Sequence, residues 1–428
     1  MSFLIGPMQK HLDGHKDLTA HNEILEIKNL EKVFVPLSMG NAKIEVLVKE
    51  NDEVKVGDKI AQRNDHFYVP IFAPVSGKVL GIEKRMGSNL RPTDHIVIEN
   101  DGKYEVSTNL STLSEDASAQ EITEFIKEKG LVGCGGAGFP TYVKYQTDKC
   151  ETLIINAVEC EPYITADART IEEHKEYFKV GVKAMFKASN AKKCLIGIKE
   201  SKKELIPVLV ELFKGETGIE VSPVKDVYPM GWERTLLYAL IGKRYEKLPI
   251  EVGCIVSNAT TAIMLGQAMQ TGLPIVEKIV TVSGDAVKEP HNVKCRVGTP
   301  FSALVEACGG YTKEKISLVA GGPMMGGSVT KDEVCVGAAT NAITVLEYKE
   351  IEPVKCLRCG QCVEHCPSGL QPVNIANAFK ANNIDRLEKL RPMDCIECGM
   401  CTYICPSKIE VTENVRRAKR TMALRIKK

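Results

Sequence analysis

A duplicated cysteine motif near the carboxyl end constrains this chain more than any other feature of its sequence. The spacing Cys-x2-Cys-x2-Cys-x3-Cys-Pro occurs twice in residues 356–406. Three thiolates in one tight loop can bind three corners of a cubane, while the fourth cysteine of each run ligates the other cluster. The motif therefore predicts two 4Fe-4S clusters. The first would use Cys356, Cys359, Cys362 and Cys405, and the second Cys395, Cys398, Cys401 and Cys366.

A pair of zinc sites is the alternative, since zinc also binds four cysteines. Zinc sites seldom repeat four cysteines with a final Cys-Pro, so the motif favours iron and sulfide. A helical segment at residues 375–390 should separate the two halves. Because metal-binding energy also drives folding, we expect the folded tail to depend on its clusters. A protein with such a tail moves single electrons.

The length of 428 residues exceeds what one hydrophobic core can organise and indicates several domains. The net charge of +1 creates no field that would attract nucleic acid, so no nucleic-acid partner is expected. No secretory signal is recognisable at the start. The uncharged stretch 252–276 contains Asn, Gln and Pro, which makes it a poor membrane span. The expected location is therefore the cytoplasm, without direct membrane insertion.

Two stretches upstream of the tail have distinct strand and helix patterns. Residues 33–99 read as short strands broken by turns and resemble the barrel-sandwich fold of biotinyl and lipoyl carriers. The turn Arg63, Asn64 and Asp65 stands where a carrier has its modifiable lysine, so we predict a scaffold. Residues 120–275 alternate helices with apolar strands at 152–157, 194–198 and 254–257, which indicates an α/β layer structure.

A glycine-rich loop, GCGGAGFPT at residues 133–141, follows a predicted helix at 121–129. Glycines let backbone amides approach a phosphate group or a flavin ring closely, and Lys144 adds a cation. A structural turn would explain the glycines equally well. The loop by itself is therefore a weak indication of a cofactor site.

Three further runs give the loop its context: INAVECEPY at 155–163, YPMGWER at 228–234 and SNATT at 257–261. With the loop and the cysteine repeat they resemble the C subunit of the Rnf electron-transport complex and, more distantly, the flavin subunit of respiratory complex I. The resemblance covers nearly the whole chain and implies a multidomain α/β and α+β protein. Its implied parts are a barrel-sandwich hybrid domain at 1–105, a Rossmann-like FMN/NADH domain at 106–276, a β-grasp (SLBB) domain at 277–346 and a two-cluster ferredoxin-like domain at 347–428.

The same resemblance implies the residues of a flavin site and a nucleotide site. In the family, a glycine loop and a lysine hold FMN, and the matching positions here are Gly133, Gly135, Gly136, Gly138 and Lys144. Polar flavin contacts match at Asn156, Glu159, Asn258 and Thr260. Phe139 and Glu233 match positions that contact NADH. The implied protein is an NADH-dependent oxidoreductase, because FMN accepts a hydride and releases its electrons singly to clusters.

Several residues depart from the flavin-subunit pattern. Complex I has an acid where Val158 stands, a glutamate where Trp232 stands and a second aromatic near Thr147. Cys134, inside the glycine loop, could have a lowered pKa and take part in redox chemistry, because it lies near a helix amino terminus. A small residue tolerated by the turn is the plainer interpretation of Cys134.

The resemblance is compatible with several branches of the family, and these branches differ in their electron acceptor. The start of the chain, KHLDGHK at 10–16, lacks the His-Pro motif usual in Rnf subunits. With Cys134, this favours the electron-transfer protein of the D-proline reductase system of anaerobes as the prediction. The alternatives are a true Rnf C subunit, which would be peripheral at the inner face of the membrane beside other Rnf subunits, and a cobalamin reductase. A further alternative is a cluster adaptor without flavin.

Overall fold

In the computed structural model, residues 9–28, 30–38, 42–88, 91–136 and 138–426 are described. Ala137 of the glycine loop lies outside these ranges. The chain begins with a segment that contains a 3₁₀ turn at Lys16–Leu18 and strand β1 at Leu25–Glu26. This segment contacts domains that are formed by later parts of the chain, and the barrel-sandwich follows it.

Two antiparallel sheets form the barrel-sandwich predicted for residues 33–99. One has the order β2-β8-β7-β4 and the other β3-β5-β6. Alternate residues of the strands, such as Val33, Ile60, Ile96 and Ile98, fill the space between the sheets. The strands are β2 (Lys32–Pro36), β3 (Ile44–Val46), β4 (Glu53–Val54), β5 (Lys59–Asn64), β6 (Tyr68–Phe72), β7 (Gly77–Met86) and β8 (Pro92–Asn100).

The hairpin between β5 and β6 is the one that would carry a modifiable lysine in a carrier domain. Its turn lies at residues 65–67, slightly beyond the predicted Arg63 to Asp65, and reads Asp-His-Phe. The hairpin packs on the next domain, where the Tyr68 amide donates a hydrogen bond to the Tyr142 hydroxyl at 3.2 Å. These contacts support the scaffold interpretation.

The next domain is a parallel sheet with helices on both faces, as the Rossmann-like prediction requires. The strand order is β11-β10-β9-β12, and the predicted strands at 152–157, 194–198 and 254–257 are confirmed. Its strands are β9 (Thr152–Ala157), β10 (Lys193–Lys199), β11 (Ile219–Val224) and β12 (Cys254–Asn258). Its helices are α1 (Ala119–Glu128), α2 (Thr141–Lys144), α3 (Ala166–Glu173), α4 (Lys175–Ser189), α5 (Leu205–Leu212), α6 (Glu233–Ile241) and α7 (Ala259–Thr271), with a 3₁₀ turn at Pro249–Val252.

Helices α4 and α7 cross so closely that each needs a glycine at the contact. A Cβ atom on Gly181 would lie 1.7 Å from the Ala262 carbonyl oxygen, and one on Gly266 would lie 1.9 Å from the Tyr177 carbonyl oxygen. The uncharged stretch 252–276 is thus β12, α7 and the connection that follows. No helix among the described residues is long and apolar enough to cross a membrane.

Replacing Gly266 by alanine should therefore destabilise the protein, although alanine is the better helix former. The propensity gain is about 1 kcal/mol, whereas forcing a methyl group against backbone should lower the free energy of unfolding by roughly 3 kcal/mol. Urea unfolding measures the difference. Gly337→Ala is the control, because its nearest neighbouring atom would be 3.6 Å away. A Gly266→Ala protein as stable as the wild type would contradict this crossing.

The third domain is a six-stranded sheet of order β1-β14-β13-β17-β15-β16. It covers one helix, whose Phe301 is fully buried in the core. Strand β1, from the start of the chain, completes its edge by pairing with β14. Its elements are β13 (Glu277–Ser283), β14 (His291–Arg296), α8 (Phe301–Ala307), β15 (Ile316–Ala320), β16 (Gly327–Val329) and β17 (Ala342–Glu347).

The tail is helical, and its two halves repeat the same short arrangement around the cysteines. The helical segment predicted at 375–390 is confirmed and consists of two helices, α10 and α11, separated by residues 381–383. Leu370, Ile375, Leu387 and Val415 form the core under them. The helices are α9 (Gln361–Glu364), α10 (Pro372–Lys380), α11 (Ile384–Leu390), α12 (Met400–Tyr403) and α13 (Val411–Ile426), with a 3₁₀ turn at Pro392–Asp394. The predicted boundaries at 105, 276 and 346 stay predictions.

Candidate functional site

The parallel sheet reverses its strand order between β9 and β12. From β9 the chain proceeds outward to β10 and β11, then returns to place β12 on the other side of β9. In such sheets, ligands bind beyond the carboxyl ends of the strands at this switch point. Asn156 and Asn258 are partners in register on β9 and β12. Two of the predicted flavin-contacting residues therefore flank the crevice.

The glycine loop lies over the carboxyl end of β12. Its base is closed by hydrogen bonds from the Gly133 amide to the Phe139 carbonyl and from the Thr141 amide to the Leu131 carbonyl, both 2.9 Å. A Cβ atom on Gly135 would lie 2.4 Å from Asn258 Nδ2, so only glycine allows this approach.

Other glycines of the loop leave space for a ligand. Gly136 is exposed and has no heavy atom within 4 Å of where a Cβ would be. Gly138 has a φ of +64°, a left-handed conformation that favours glycine. The loop therefore offers an open face of backbone that fits a flat or phosphorylated ligand.

Asp167 holds the polar residues of the crevice in place, and sequence reasoning missed it. Its carboxylate accepts hydrogen bonds from Asn258 Nδ2 at 2.9 Å and from Thr260 Oγ1 at 2.7 Å. Its backbone amide donates to Glu159 Oε1 at 2.8 Å. An acidic residue in the first turn of a helix is common, so nothing in the sequence singled out Asp167.

Asn156 connects β9 to the YPMGWER run. Its Nδ2 donates to the Gly231 carbonyl at 2.8 Å, and its Oδ1 accepts from the Val158 amide at 3.0 Å. A Cβ atom on Gly231 would lie 2.3 Å from the Val158 carbonyl oxygen, so this run is pinned against the strand end. The amide of Asn156 therefore orders the crevice wall.

Lys144 and Glu233 lie near enough to influence each other. Lys144 Nζ donates to the Val256 carbonyl at 2.7 Å, which places the ammonium group beside the middle of β12. Burial lowers the pKa of Lys144, and the Glu233 carboxylate opposes that shift. Glu233 Oε1 accepts a hydrogen bond from the Tyr245 hydroxyl at 2.6 Å. The structure thus brings together the predicted flavin cation and one predicted NADH contact.

Glu159 is buried beside two lysines. Its Oε2 makes no hydrogen bond within the described part of the chain and lies 3.7 Å from Lys16 Nζ and 3.9 Å from Lys202 Nζ. Burial raises the pKa of Glu159, and the two ammonium groups oppose that shift. Burial also lowers the pKa of Lys16 to about 8. Glu159 Oε2 is thus ion-paired but accepts no hydrogen bond from the described residues, which leaves capacity for a ligand donor.

The buried Lys16 predicts a pH dependence of stability. Below pH 8 its ammonium is charged in both the folded and the unfolded chain, so the folded protein bears the full penalty of burial. Between about 8 and the ordinary value of 10.5, the folded state loses the proton first. The unfolded state then binds more protons, so stability should rise with pH.

Urea unfolding at pH values below and above the pKa of Lys16 measures this. We expect the free energy of unfolding to rise with pH more for the wild type than for Lys16→Met. Lys28→Met is the control, because the Lys28 side chain is 73% exposed. A stability difference between wild type and Lys16→Met that does not change with pH would count against this assignment.

Cys134 is the predicted site residue whose environment differs most from the expectation. The residue is fully buried, and its backbone amide donates to Thr261 Oγ1 at 2.9 Å. Burial raises the pKa of its thiol, whereas the sequence interpretation expected a lowered pKa. Of the two interpretations of Cys134, the redox interpretation is therefore not supported, because the thiol is buried away from water. Cys134 is a small residue packed under the loop, and its environment gives no support to a redox role.

Phe139 ends the glycine loop and remains 40% exposed. Its ring lies 5.6 Å, between centroids, from that of Phe67 in the β5–β6 turn, at an interplanar angle of 73°. Phe67 was not among the predicted site residues, because 72 positions of sequence separate it from Phe139.

In the tail, four cysteines from both motifs line one largely apolar cavity. They are Cys366, Cys395, Cys398 and Cys401, the set predicted for the second cluster. Backbone amides point at sulfur in both halves: Glu397 N lies 3.3 Å from Cys395 Sγ and Arg358 N lies 3.4 Å from Cys356 Sγ. Such amides stabilise thiolates, so these residues fit an iron–sulfur cluster.

The first motif is arranged differently. Cys356 and Cys359 are exposed, and they lie near enough to raise the pKa of the Cys362 thiol, although burial of Cys362 is the larger cause. The assignment of Cys405 to this set stays a prediction. Across the described residues, no three His, Cys, Asp or Glu side chains are grouped as a single-ion site.

The second cysteine loop docks on the parallel-sheet domain. The Tyr228 hydroxyl donates to the Cys398 carbonyl at 2.7 Å. Glu161 Oε1 accepts from the amides of Met324 and Met325 at 2.6 and 2.9 Å, which joins the same region to the third domain. This second set, in which Cys398 is buried and the other three cysteines are half-buried, therefore lies beside the crevice domain, whereas Cys356 and Cys359 of the first loop are exposed.

Four protein families match successive parts of the chain. They are described as RnfC Barrel sandwich hybrid domain (residues 10–103), Nuo51 FMN-binding domain (126–267), SLBB domain (279–327) and 4Fe-4S dicluster domain (355–409). The predicted kinds of domain are thereby confirmed, as are FMN and two 4Fe-4S clusters as the cofactors.

Curated relatives match over most of the chain. It is 34% identical over 389 residues to the C subunit of the Na(+)-translocating ferredoxin:NAD(+) oxidoreductase complex of Acetobacterium woodii, covering 88% of both chains. It is also 34% identical to the C subunit of the Proton-translocating ferredoxin:NAD(+) oxidoreductase complex of Clostridium ljungdahlii, covering 85% of this chain and 81% of the relative. The C subunit of the Ion-translocating oxidoreductase complex of Rhodobacter capsulatus is 33% identical, with 88% and 75% covered.

Among solved structures, an NAD+-reducing [NiFe]-hydrogenase in the H2-reduced state matches with a TM-score of 0.52. The match has 18% sequence identity and covers 72% of this chain and 63% of that chain. At this identity the likeness shows the fold alone.

Proposed function

The chain belongs to the C-subunit family of the Rnf ferredoxin:NAD(+) oxidoreductase complexes, and from this premise we propose that it exchanges electrons between NAD(H) and a protein partner through FMN and two 4Fe-4S clusters. The observation that carries the proposal is the crevice at the strand-order reversal. There the glycine loop, Asn156 and Asn258 converge over the carboxyl ends of β9 and β12.

Within the crevice, we assign each group a binding or orienting role. The amides of Gly135 and Gly136 would contact FMN from the open face of the loop, and Lys144 would supply a cation. Asn258 and Thr260 are oriented by the Asp167 carboxylate before any ligand arrives. FMN, when bound, supplies the ability to accept a hydride as an electron pair and to release electrons one at a time.

Phe139 and Glu233 are the residues that we assign to the nucleotide. Phe139 keeps an exposed aromatic surface beside the loop, which suits stacking on a planar base. Glu233 Oε1 already accepts one hydrogen bond from Tyr245, and Oε2 can accept another from a hydroxyl group of the nucleotide.

The arrangement of the tail supports an electron path from the flavin domain through the two clusters to a partner protein. The cavity of Cys366, Cys395, Cys398 and Cys401 adjoins the crevice domain through Tyr228, whereas Cys356 and Cys359 are exposed. Electron transfer needs short distances, so we assign the set that contains Cys398 to accept electrons from the flavin and the exposed loop to pass them to a partner protein.

The relatives favour the Rnf branch over the D-proline reductase branch. The preference for a proline-reductase partner rested on the absence of a His-Pro motif and on Cys134. The three relatives are C subunits of ion-translocating oxidoreductase complexes, and the buried Cys134 gives no support to a redox role. We therefore propose other subunits of such a complex as the partners and a peripheral position on the membrane complex. Co-purification with those subunits tests this.

Anaerobic titration with NADH tests the proposed activity. Protein reconstituted with FMN and clusters should lose its flavin absorbance and then its cluster absorbance as NADH is added. The matched control is the same protein with clusters but without FMN, which should not react, because a cluster alone cannot accept a hydride. Failure of the loaded protein to retain FMN, or to bleach, would leave the flavin-less adaptor as the better hypothesis.

A further inference from the structure

The β5–β6 hairpin of the barrel-sandwich lies against the glycine loop of another domain. Phe67, in the turn of that hairpin, and Phe139, at the end of the loop, have ring centroids 5.6 Å apart and planes at 73°. Two rings at such an angle form a corner in which a planar base can stack on one ring and meet the edge of the other. Neither domain alone contains this corner.

The hairpin is held in place without using the exposed part of these rings. The Tyr68 amide donates to the Tyr142 hydroxyl, on the short helix that follows the loop. The Pro70 carbonyl approaches Gly130 so closely that a Cβ there would lie 2.4 Å from it, and Gly130 has a φ of +61°. A contact made only for docking would bury both rings, yet Phe139 remains 40% exposed.

Phe67 is also fixed by a residue of its own hairpin. The Arg63 guanidinium lies 5.0 Å from the centroid of its ring, and Arg63 Nε donates to Asp65 Oδ1 at 2.7 Å. A cation over the ring and an ion pair within the turn hold the aromatic plane in one orientation. An aromatic surface that is ordered in advance loses little entropy when a ligand stacks on it.

We propose that Phe67 and Phe139 together bind the adenine base of NAD(H), so that the barrel-sandwich hairpin completes the nucleotide site of the flavin domain. This inference rests on the proposed function and adds a second domain to its substrate site. The nicotinamide ring has to enter the crevice of Asn156 and Asn258 to reach the flavin. Adenine is therefore the planar group left for an aromatic corner outside that crevice.

The test separates adenine binding from hydride transfer. ADP-ribose carries the adenine half of the substrate, and reduced nicotinamide mononucleotide carries the nicotinamide half. For Phe67→Ala, calorimetry should show ADP-ribose binding weakened about 10-fold, because base stacking on an aromatic ring contributes on the order of 1–3 kcal/mol. The NADH concentration for half-maximal flavin reduction should rise by the same factor, with an unchanged maximal rate.

Reduction by reduced nicotinamide mononucleotide should stay unchanged in the same variant. Phe67→Trp should keep ADP-ribose binding, and Phe67→Leu, which preserves apolar volume, should lose it. Phe72→Ala, on the same hairpin but away from the turn, is the control and should bind normally. If Phe67→Ala weakened flavin reduction by NADH and by the mononucleotide equally, or weakened neither, the proposal would be overturned. A wild type that binds ADP-ribose through Phe67 but is not reduced by NADH would instead refute the proposed activity alone.

Discussion

Replacing Cys366 by alanine should remove the cluster of the other motif and leave the cluster of its own motif in place. Cys366 follows Cys356, Cys359 and Cys362 in the chain, but the cavity that it lines is shared with Cys395, Cys398 and Cys401. Loss of this ligand should lower the iron content of reconstituted protein by about half, since one of two four-iron clusters disappears. The second half of the tail should unfold more easily, because cluster binding contributes to its folding.

Double variants show which cysteines act together. Cys366→Ala combined with Cys398→Ala should lose no more iron than either change alone, whereas Cys366→Ala combined with Cys356→Ala should lose both clusters. Iron analysis and electron paramagnetic resonance of the reduced protein measure this. Cys335→Ala changes a buried cysteine outside the tail and should keep both signals. One intact cluster in the Cys356→Ala, Cys366→Ala protein would mean that each motif binds its own cluster.

Replacing Asp167 by alanine should weaken FMN binding roughly 100-fold. The change leaves Asn258 Nδ2 and Thr260 Oγ1 without the acceptor that orients them, at about 1–3 kcal/mol for each unpaired group. The two side chains then no longer present their polar atoms to the crevice in one arrangement. Titrating FMN-free protein with FMN, followed by flavin fluorescence, gives the dissociation constant.

Two further variants sharpen this measurement. Asp167→Asn keeps one acceptor oxygen and should show an intermediate loss of affinity. Asp148→Ala, an exposed aspartate of the same domain, should bind FMN like the wild type. Normal affinity in Asp167→Ala would show that Asn258 and Thr260 do not depend on this carboxylate, and their assignment to the flavin would have to be given up.

Local patterns in the sequence were sufficient for the strands of the parallel sheet, whereas the kinds of domain were implied by the family resemblance and the cysteine ligand sets stay predictions. The strand at 152–157 and the helix at 121–129, found as α1 at Ala119–Glu128, could be predicted because apolar periodicity is set by the local backbone. The helical segment predicted at 375–390 is confirmed, and Asn382 divides it into α10 and α11 because its backbone takes a left-handed conformation between them. The pKa of Cys134 is raised, not lowered as the redox interpretation required, and the sequence could not decide this because burial depends on what packs over a loop.

The two iron–sulfur clusters could be predicted without any structure, because eight cysteines stand at cluster spacing, whereas the glycine loop indicated a cofactor only together with the other runs that carry the family resemblance. Each cysteine motif is complete within a few consecutive residues, so its spacing can be recognised locally. Three contacts became visible only in the folded chain: Asp167 orients Asn258 and Thr260, Tyr228 joins the crevice domain to Cys398, and Phe67 meets Phe139. They join residues far apart in the chain, and the packing of whole domains, which no local pattern encodes, brings them within hydrogen-bonding or stacking distance.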